Sequence, residues 1–119
     1  MNSPQIKRGD IFYVDLSPAQ GSEQDGYRPS IIAQNDVGNT HSPTTQIIPL
    51  TTQDKKRTLP THVTISKLCG LETESTALVE QLRTVDKSRL GEYVGRITPA
   101  EQLAIDKAIA ISVGLAVIA

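Results

Sequence analysis

Short apolar, β-branched runs alternate with turn formers along most of this chain. The runs are Asp10–Leu16, Ser30–Gln34, Gln46–Thr51, His62–Ile65, Ala77–Leu82 and Tyr93–Ile97. Each is strand-length and set off from the next by a turn-rich segment, the first being stopped by Ser17-Pro18, so each is expected to be a β-strand. Pro49 cannot donate to a ladder, which places the third run near a sheet edge or at a bulge. The pattern changes at Thr98-Pro99-Ala100-Glu101, which has a capping threonine, a proline at the first helical position and a glutamate able to close a capping box. A terminal helix follows. From Ala108 its apolar residues fall on every face, more than one sheet can cover, so a second copy of the chain or another protein is expected against it. Many short strands in so small a chain imply a mainly β fold with short helices: a compact, strongly curved sheet or small barrel.

The chain has 119 residues, one domain (1–119) with a core that needs neither disulfide nor metal. Cys69 is the only cysteine and is expected to be inert packing. A net charge of −1 argues against binding driven by a global basic field. Any nucleic-acid site must therefore be local; Lys55-Lys56-Arg57 form one basic run, read as a solvated face or a mobile loop flanking a groove, and Arg83, Lys87, Arg89 and Arg96 form a second, spread group. The polar segment Thr52–Thr61 is expected to be a mobile loop. The opening residues MNSPQIKRGD lack a signal-peptide core, and the apolar tail is too short to span a bilayer. The expected location is the cytoplasm.

Candidate chemistry centres on GSEQDGYRP, Gly21–Pro29. Two glycines let the loop curl, and Pro29 stiffens the chain just after Arg28. A guanidinium held there offers a planar fork of donors suited to phosphate oxygens. A polar hairpin loop with a solvated arginine would read the same way. Asp10, Asp15, Glu23 and Asp25 show no cation-caging spacing, and His41 and His62 are not spaced as zinc ligands. No metal and no other cofactor is expected, and His62 reads as a structural histidine.

The order of segments decides between these readings. KRGDIFYVDLSP (7–18), GSEQDGYRP, QND (34–36), SPT (42–44), QIIPLT (46–51), LPTHV (59–63) and EQLRTVDKSRLG (80–91) together resemble the MazF/PemK family of toxin endoribonucleases. The register holds from about Ile6 to the final helix, departing mainly within Ser66–Ser75. The resemblance implies a small SH3-like β-barrel with a C-terminal helix. It also implies a homodimeric, sequence-selective endoribonuclease that cuts single-stranded mRNA without metal, by transesterification, leaving a 2′,3′-cyclic phosphate and a 5′-hydroxyl. An antitoxin protein would restrain it, and any contact with DNA would be indirect, through the antitoxin complex.

By matching motifs, the resemblance assigns catalysis to Arg28, Thr51 and Glu23. Arg28 would stabilise the phosphate and Thr51 would add a hydroxyl donor. Glu23 is the candidate proton acceptor, because arginine is too basic for that task; Glu80 is the alternative. Tyr27 is the best stacking residue, Asn35, Asn39 and Gln81 carry amides for base edges, and Arg83 could hold a flanking phosphate. Strand alternation over Ala77–Arg83 would put Gln81 and Arg83 on one face. Two other functions fit the same fold: a CcdB-like poison that binds a topoisomerase, disfavoured because the chain has no tryptophan for its terminal helix, and an RNA-binding module without turnover.

Overall fold

The computed structural model describes residues 5–52 and 59–115. Its elements are β1 (Asp10–Asp15), β2 (Tyr27–Ile32), α1 (Asp36–His41), β3 (Thr44–Thr51), β4 (His62–Ile65), β5 (Ser75–Leu78), β6 (Arg83–Asp86), β7 (Leu90–Arg96) and α2 (Pro99–Ser112). Single 3₁₀ turns lie at Lys67–Cys69, Val79–Gln81 and Lys87–Arg89. The strands form one sheet in the order β4-β5-β3-β2-β1-β7, with β6 also on β3, and every pairing is antiparallel. The outermost strands β4 and β7 are not paired with each other among the described residues. The fold is thus mainly β, and its sheet is bent without closing into a barrel.

The bend is written in β3. Thr44–Ile47 pair with β6, whereas Leu50 and Thr51 pair with β5. Pro49 falls in the gap between the two partners, with Ser30 of β2 as its ladder neighbour. Of the two expected settings, the sheet edge is not the one found: the proline sits in a central strand, at the seam where the ladder is interrupted as that strand changes partners.

Successive strand residues point to opposite faces, and both faces are covered. Ile11, Ile31, Ile48, Leu50, Ile65 and Ile105 of α2 belong to one core cluster, while Phe12, Val14, Leu16, Ile32, Ile47 and Val85 form the other. This explains why the strands read as continuous apolar runs without clean alternation. Full burial of each such side chain contributes about 1.5–3 kcal/mol before entropy is counted.

At the start of α2 both halves of the capping box form: Glu101 N–H donates to Thr98 Oγ1 at 3.1 Å, and Thr98 N–H donates to Glu101 Oε1 at 2.8 Å. The helix stops at Ser112, short of the expected tail, and Gly114 follows at φ 75°. Only Ile105 and Ala108 of α2 are buried, and Leu103, Ile111, Val113 and Leu115 stand exposed. The last four residues and Lys55-Lys56-Arg57, with most of the segment expected to be a mobile loop, lie outside the described residues.

Helix α1 was not expected. Gly38, Asn39 and Thr40 are weak helix formers, and the six-residue helix forms because Asn35 caps it, its Oδ1 accepting from Gly38 N–H at 2.8 Å. Over Ala77–Arg83, β5 ends at Leu78 and a 3₁₀ turn separates it from β6. Strand alternation therefore does not relate Gln81 to Arg83.

Candidate active site

The β1–β2 loop is closed at its neck by Leu16 N–H donating to Gly26 O at 2.9 Å. Within it Gly21 (φ 57°) and Gly26 (φ 84°) adopt the left-handed backbone that the glycine bracket implied. Long-range ties hold the loop to the rest of the fold. Gln24 N–H donates to Gln81 Oε1 at 2.8 Å, Gln81 Nε2 donates to Ser22 O at 3.4 Å, and Arg83 Nη1 donates to Leu16 O at 3.4 Å. Arg89 Nη1 adds bonds to Asp15 O and Ser17 O at 3.1 and 2.6 Å.

The loop separates two grooves. The larger, of about 600 Å³, is lined by Tyr13, Tyr27, Arg28, Thr52, Glu72 and Tyr93 among others. The smaller, of about 390 Å³, is lined by Leu16, Glu23, Pro49, Glu80, Gln81 and Arg83 among others. Arg28 and Tyr27 are thus brought together, while Glu23, Gln81 and Arg83 gather on the opposite side of the loop.

Arg28 is half-buried, with Nε donating to Asp25 O at 2.6 Å. Its two terminal nitrogens bond to no partner among the described residues, so the guanidinium is oriented by one edge and offers the other to the groove. The β2–β3 pairing ends at Ser30↔Pro49, two residues short of both Arg28 and Thr51. Thr51 itself is buried, 2% exposed, in register with Thr76 of β5; the next residue, Thr52, lines the groove.

Glu23 accepts from Gln20 N–H at 2.6 Å. Glu80 takes His62 Nε2 at 3.1 Å on one oxygen and the Thr61 hydroxyl at 3.1 Å on the other. Partial burial pushes its carboxyl upward, but hydrogen bonds from its own backbone N–H, His62 and Thr61 outweigh that and hold it below the ordinary carboxylate value. His62 Nδ1 is buried without a hydrogen-bond partner among the described residues.

Two predicted contacts with bases have work elsewhere. Asn39 is buried; its Nδ2 donates to Gln34 O and Asp36 Oδ1, and its Oδ1 accepts from Thr45 Oγ1 and Gln34 Nε2. Asn35, although exposed, commits its oxygen to the α1 cap. Residues in polar turns look available in a sequence even when a short helix will absorb them.

Sequence reasoning missed Tyr13, Glu72, Glu92 and Tyr93 as groove residues, since they come from β1, the segment before β5 and β7. A weak signal existed: the chain has three tyrosines, and all three line this one groove. Among the described residues no cluster of three His, Cys, Asp or Glu side chains could hold a metal ion, and no helix is long and apolar enough to cross a membrane. Cys69 is buried with Sγ donating to Glu101 Oε1 at 3.1 Å. Burial first, and then the Glu101 carboxylate, push its thiol up to about 11, so it stays protonated and unreactive at neutral pH.

Comparison with known proteins agrees with this architecture. Residues 7–113 match the family model of PemK-like, MazF-like toxins of type II toxin-antitoxin systems. The chain is 45% identical over 111 residues to Endoribonuclease EndoA of Bacillus subtilis (strain 168), covering 92% of this chain and 96% of that relative. It is 46% identical over 111 residues to Endoribonuclease MazF of Staphylococcus epidermidis, covering 92% of each. Among solved structures, a mycobacterial endoribonuclease in complex with its cognate antitoxin superposes with TM-score 0.81 at 29% identity, covering 95% of this chain and 99% of that one. MazF from Deinococcus radiodurans shares the fold, with TM-score 0.82 at 21% identity and coverage of 94% and 99%. With a family match spanning nearly all its length and relatives of this identity, the chain belongs to the PemK-like, MazF-like toxins of type II toxin-antitoxin systems.

Proposed function

We propose that this toxin is an endoribonuclease that cleaves single-stranded mRNA, sequence-selectively and without metal, by transesterification. The observation that carries the reading is Arg28, anchored through Nε on Asp25 O with its outer guanidinium edge facing the larger groove, in a chain whose close relatives are named endoribonucleases. RNA supplies the nucleophile. Its 2′-oxygen, giving up its proton, attacks the adjacent phosphorus while the bond to the 5′-oxygen breaks and that oxygen takes a proton from water, giving a 2′,3′-cyclic phosphate and a 5′-hydroxyl. Arg28 stabilises the charge that builds on the non-bridging oxygens, the effect that usually contributes most to such catalysis. Thr51, at the end of β3, is the proposed supporting hydroxyl donor.

Glu23 is assigned the 2′-proton; it lines the other groove, so the assignment requires the loop to carry it across to Arg28 when RNA binds. It must leave Gln20 to do so, and release of that contact when RNA crosses the loop is part of the proposal. RNA then spans both grooves, with Gln81 and Arg83 on the far side of the loop meeting the flanking nucleotides and Tyr27 meeting a base beside Arg28. The exposed Leu103, Ile111, Val113 and Leu115 support a homodimer, and the antitoxin complex of the mycobacterial structure supports restraint by an antitoxin protein in the cytoplasm.

Incubation of purified protein with a long RNA in EDTA tests this reading. Discrete fragments with cyclic phosphate ends, mapped by primer extension, are expected, and Arg28→Ala should yield a folded protein that leaves RNA intact. Wild-type cleavage by that variant would overturn the assignment. Retarded but uncut RNA would identify a binding module instead, and no effect on RNA would favour a toxin acting on another protein.

A further inference from the structure

Aromatic side chains make up only 3% of the chain, yet Tyr13, Tyr27 and Tyr93 converge on the groove that holds Arg28. Tyr27 stacks on Tyr13 with ring centroids 5.0 Å apart and planes at 20°. Its hydroxyl oxygen accepts from Glu92 N–H at 3.2 Å, which fixes the far end of the ring on β7. Tyr27 nonetheless remains 55% exposed. A ring stacked on one side and tethered at its tip is preorganised, and a base settling on it would freeze little extra freedom.

Gly91 makes this arrangement possible. A Cβ at that position would lie 1.8 Å from the Tyr27 hydroxyl oxygen and 2.6 Å from the ring carbon that bears it. The atoms in the way are the end of a side chain, so an added methyl would swing Tyr27 off its seat and leave the strand in place. The charges around the groove narrow what the ring can receive. Asp25, Glu72 and Glu92 line it together with Arg28, so a phosphate is welcome at Arg28 and repelled along the rest of the rim. The neutral part of a nucleotide is what fits there.

We propose that the outward face of Tyr27 is a base-stacking subsite for the nucleotide adjoining the phosphate held by Arg28, with Tyr13, Gly91 and the Glu92 N–H as its positioning elements. This rests on the RNA-cleaving reading above and adds to it the platform that orients the strand. Stacking on an aromatic ring tolerates any base, so the subsite would add affinity and alignment more than sequence choice.

The test measures binding in place of turnover. A dye-labelled single-stranded 2′-O-methyl RNA, which lacks the attacking hydroxyl, and a counterpart abasic only at the nucleotide adjoining the phosphate mapped as the cleavage point are titrated by fluorescence anisotropy against wild type, Tyr27→Leu, Tyr27→Phe and Gly91→Ala. Each variant is checked for folding by circular dichroism. Wild type should bind the base-bearing strand about tenfold more tightly than the abasic one. Tyr27→Leu and Gly91→Ala should bring that ratio close to one, and Tyr27→Phe, which keeps the ring and loses the Glu92 tether, should give a ratio between those of wild type and Tyr27→Leu. A ratio unaltered in Tyr27→Leu, or a wild type that binds neither strand, overturns the subsite. Cleavage of ordinary RNA is scored separately: an intact ratio with active enzyme removes the subsite alone, and a collapsing ratio with inactive wild type removes the cleavage reading alone.

Discussion

The backbone N–H of Gln24 donates to the side-chain oxygen of Gln81 at 2.8 Å across 57 residues of sequence. Gln81 thereby ties the loop that carries Glu23 to the 3₁₀ turn between β5 and β6. An amide that looks like a base reader in the sequence also braces the loop, and RNA that reaches it competes with this contact.

Gln81→Leu removes the acceptor while keeping the side chain's bulk. It also removes the donor to Ser22 O; each lost bond is worth about 1 kcal/mol, and the loop should then sample more conformations. Cleavage of a mapped RNA substrate is expected to fall about five- to tenfold in kcat, and the urea midpoint to drop by an amount that matches the lost bonds. Parallel kinetics and a urea melt check both halves, and unchanged kcat would show that the brace does not matter to turnover.

Arg28→Lys keeps the positive charge and removes the fork. A lysine cannot bond Asp25 O through an Nε edge and still present two parallel donors to a phosphate. Activity should drop by about 10²-fold or more, on the scale of losing one preorganised donor, while salt dependence of RNA binding stays close to wild type. Rapid-quench cleavage and binding titrations at two ionic strengths separate charge from geometry.

Glu101 accepts from Thr98 N–H, Ser66 N–H and Cys69 Sγ. Partial burial pushes its carboxyl up, but those hydrogen bonds prevail and hold it below its ordinary value of 4.5. The folded form therefore ionises at lower pH than the unfolded chain. The stability this contributes is fully present above about pH 4.5 and is lost as pH falls through the depressed folded value. Glu101→Gln should cost about 1–3 kcal/mol at neutral pH, and the gap from wild type should shrink in urea melts below pH 4.

Gly95 and Gly70 bring β7 and the Lys67–Cys69 turn into backbone contact. A Cβ on Gly95 would stand 1.7 Å from Cys69 O, and one on Gly70 2.3 Å from Val94 O. Backbone atoms cannot step aside as a side-chain tip can, so Gly95→Ala should destabilise by about 3 kcal/mol or more. Gly21→Ala, with φ 57° but open space around it, should cost only about 1 kcal/mol. Chemical denaturation of the two variants side by side tests the contrast, and equal losses would contradict the packing described here.

Local chemistry made much of this protein readable in one dimension. The capping box at Thr98 and Glu101, the glycine-bracketed loop before Arg28 and the strand-length apolar runs each follow from neighbours within a few residues, so the β class, the terminal helix and the curled loop were legible, and the motif order pointed to the family. What the third dimension decided depends on partners far away in the chain. Pro49 reads as an edge or bulge residue until β3 is seen to pass from β6 to β5 around it. Asn39 reads as a free amide until α1 buries it against Thr45 and Gln34. Glu23 and Arg28, five residues apart on one loop, line opposite grooves because Gln81 and Asp25 hold the two sides of that loop separately. Tyr13, Tyr27 and Tyr93 meet only because β1 pairs with both β2 and β7, and residue types along a strand do not specify which strand will lie beside it.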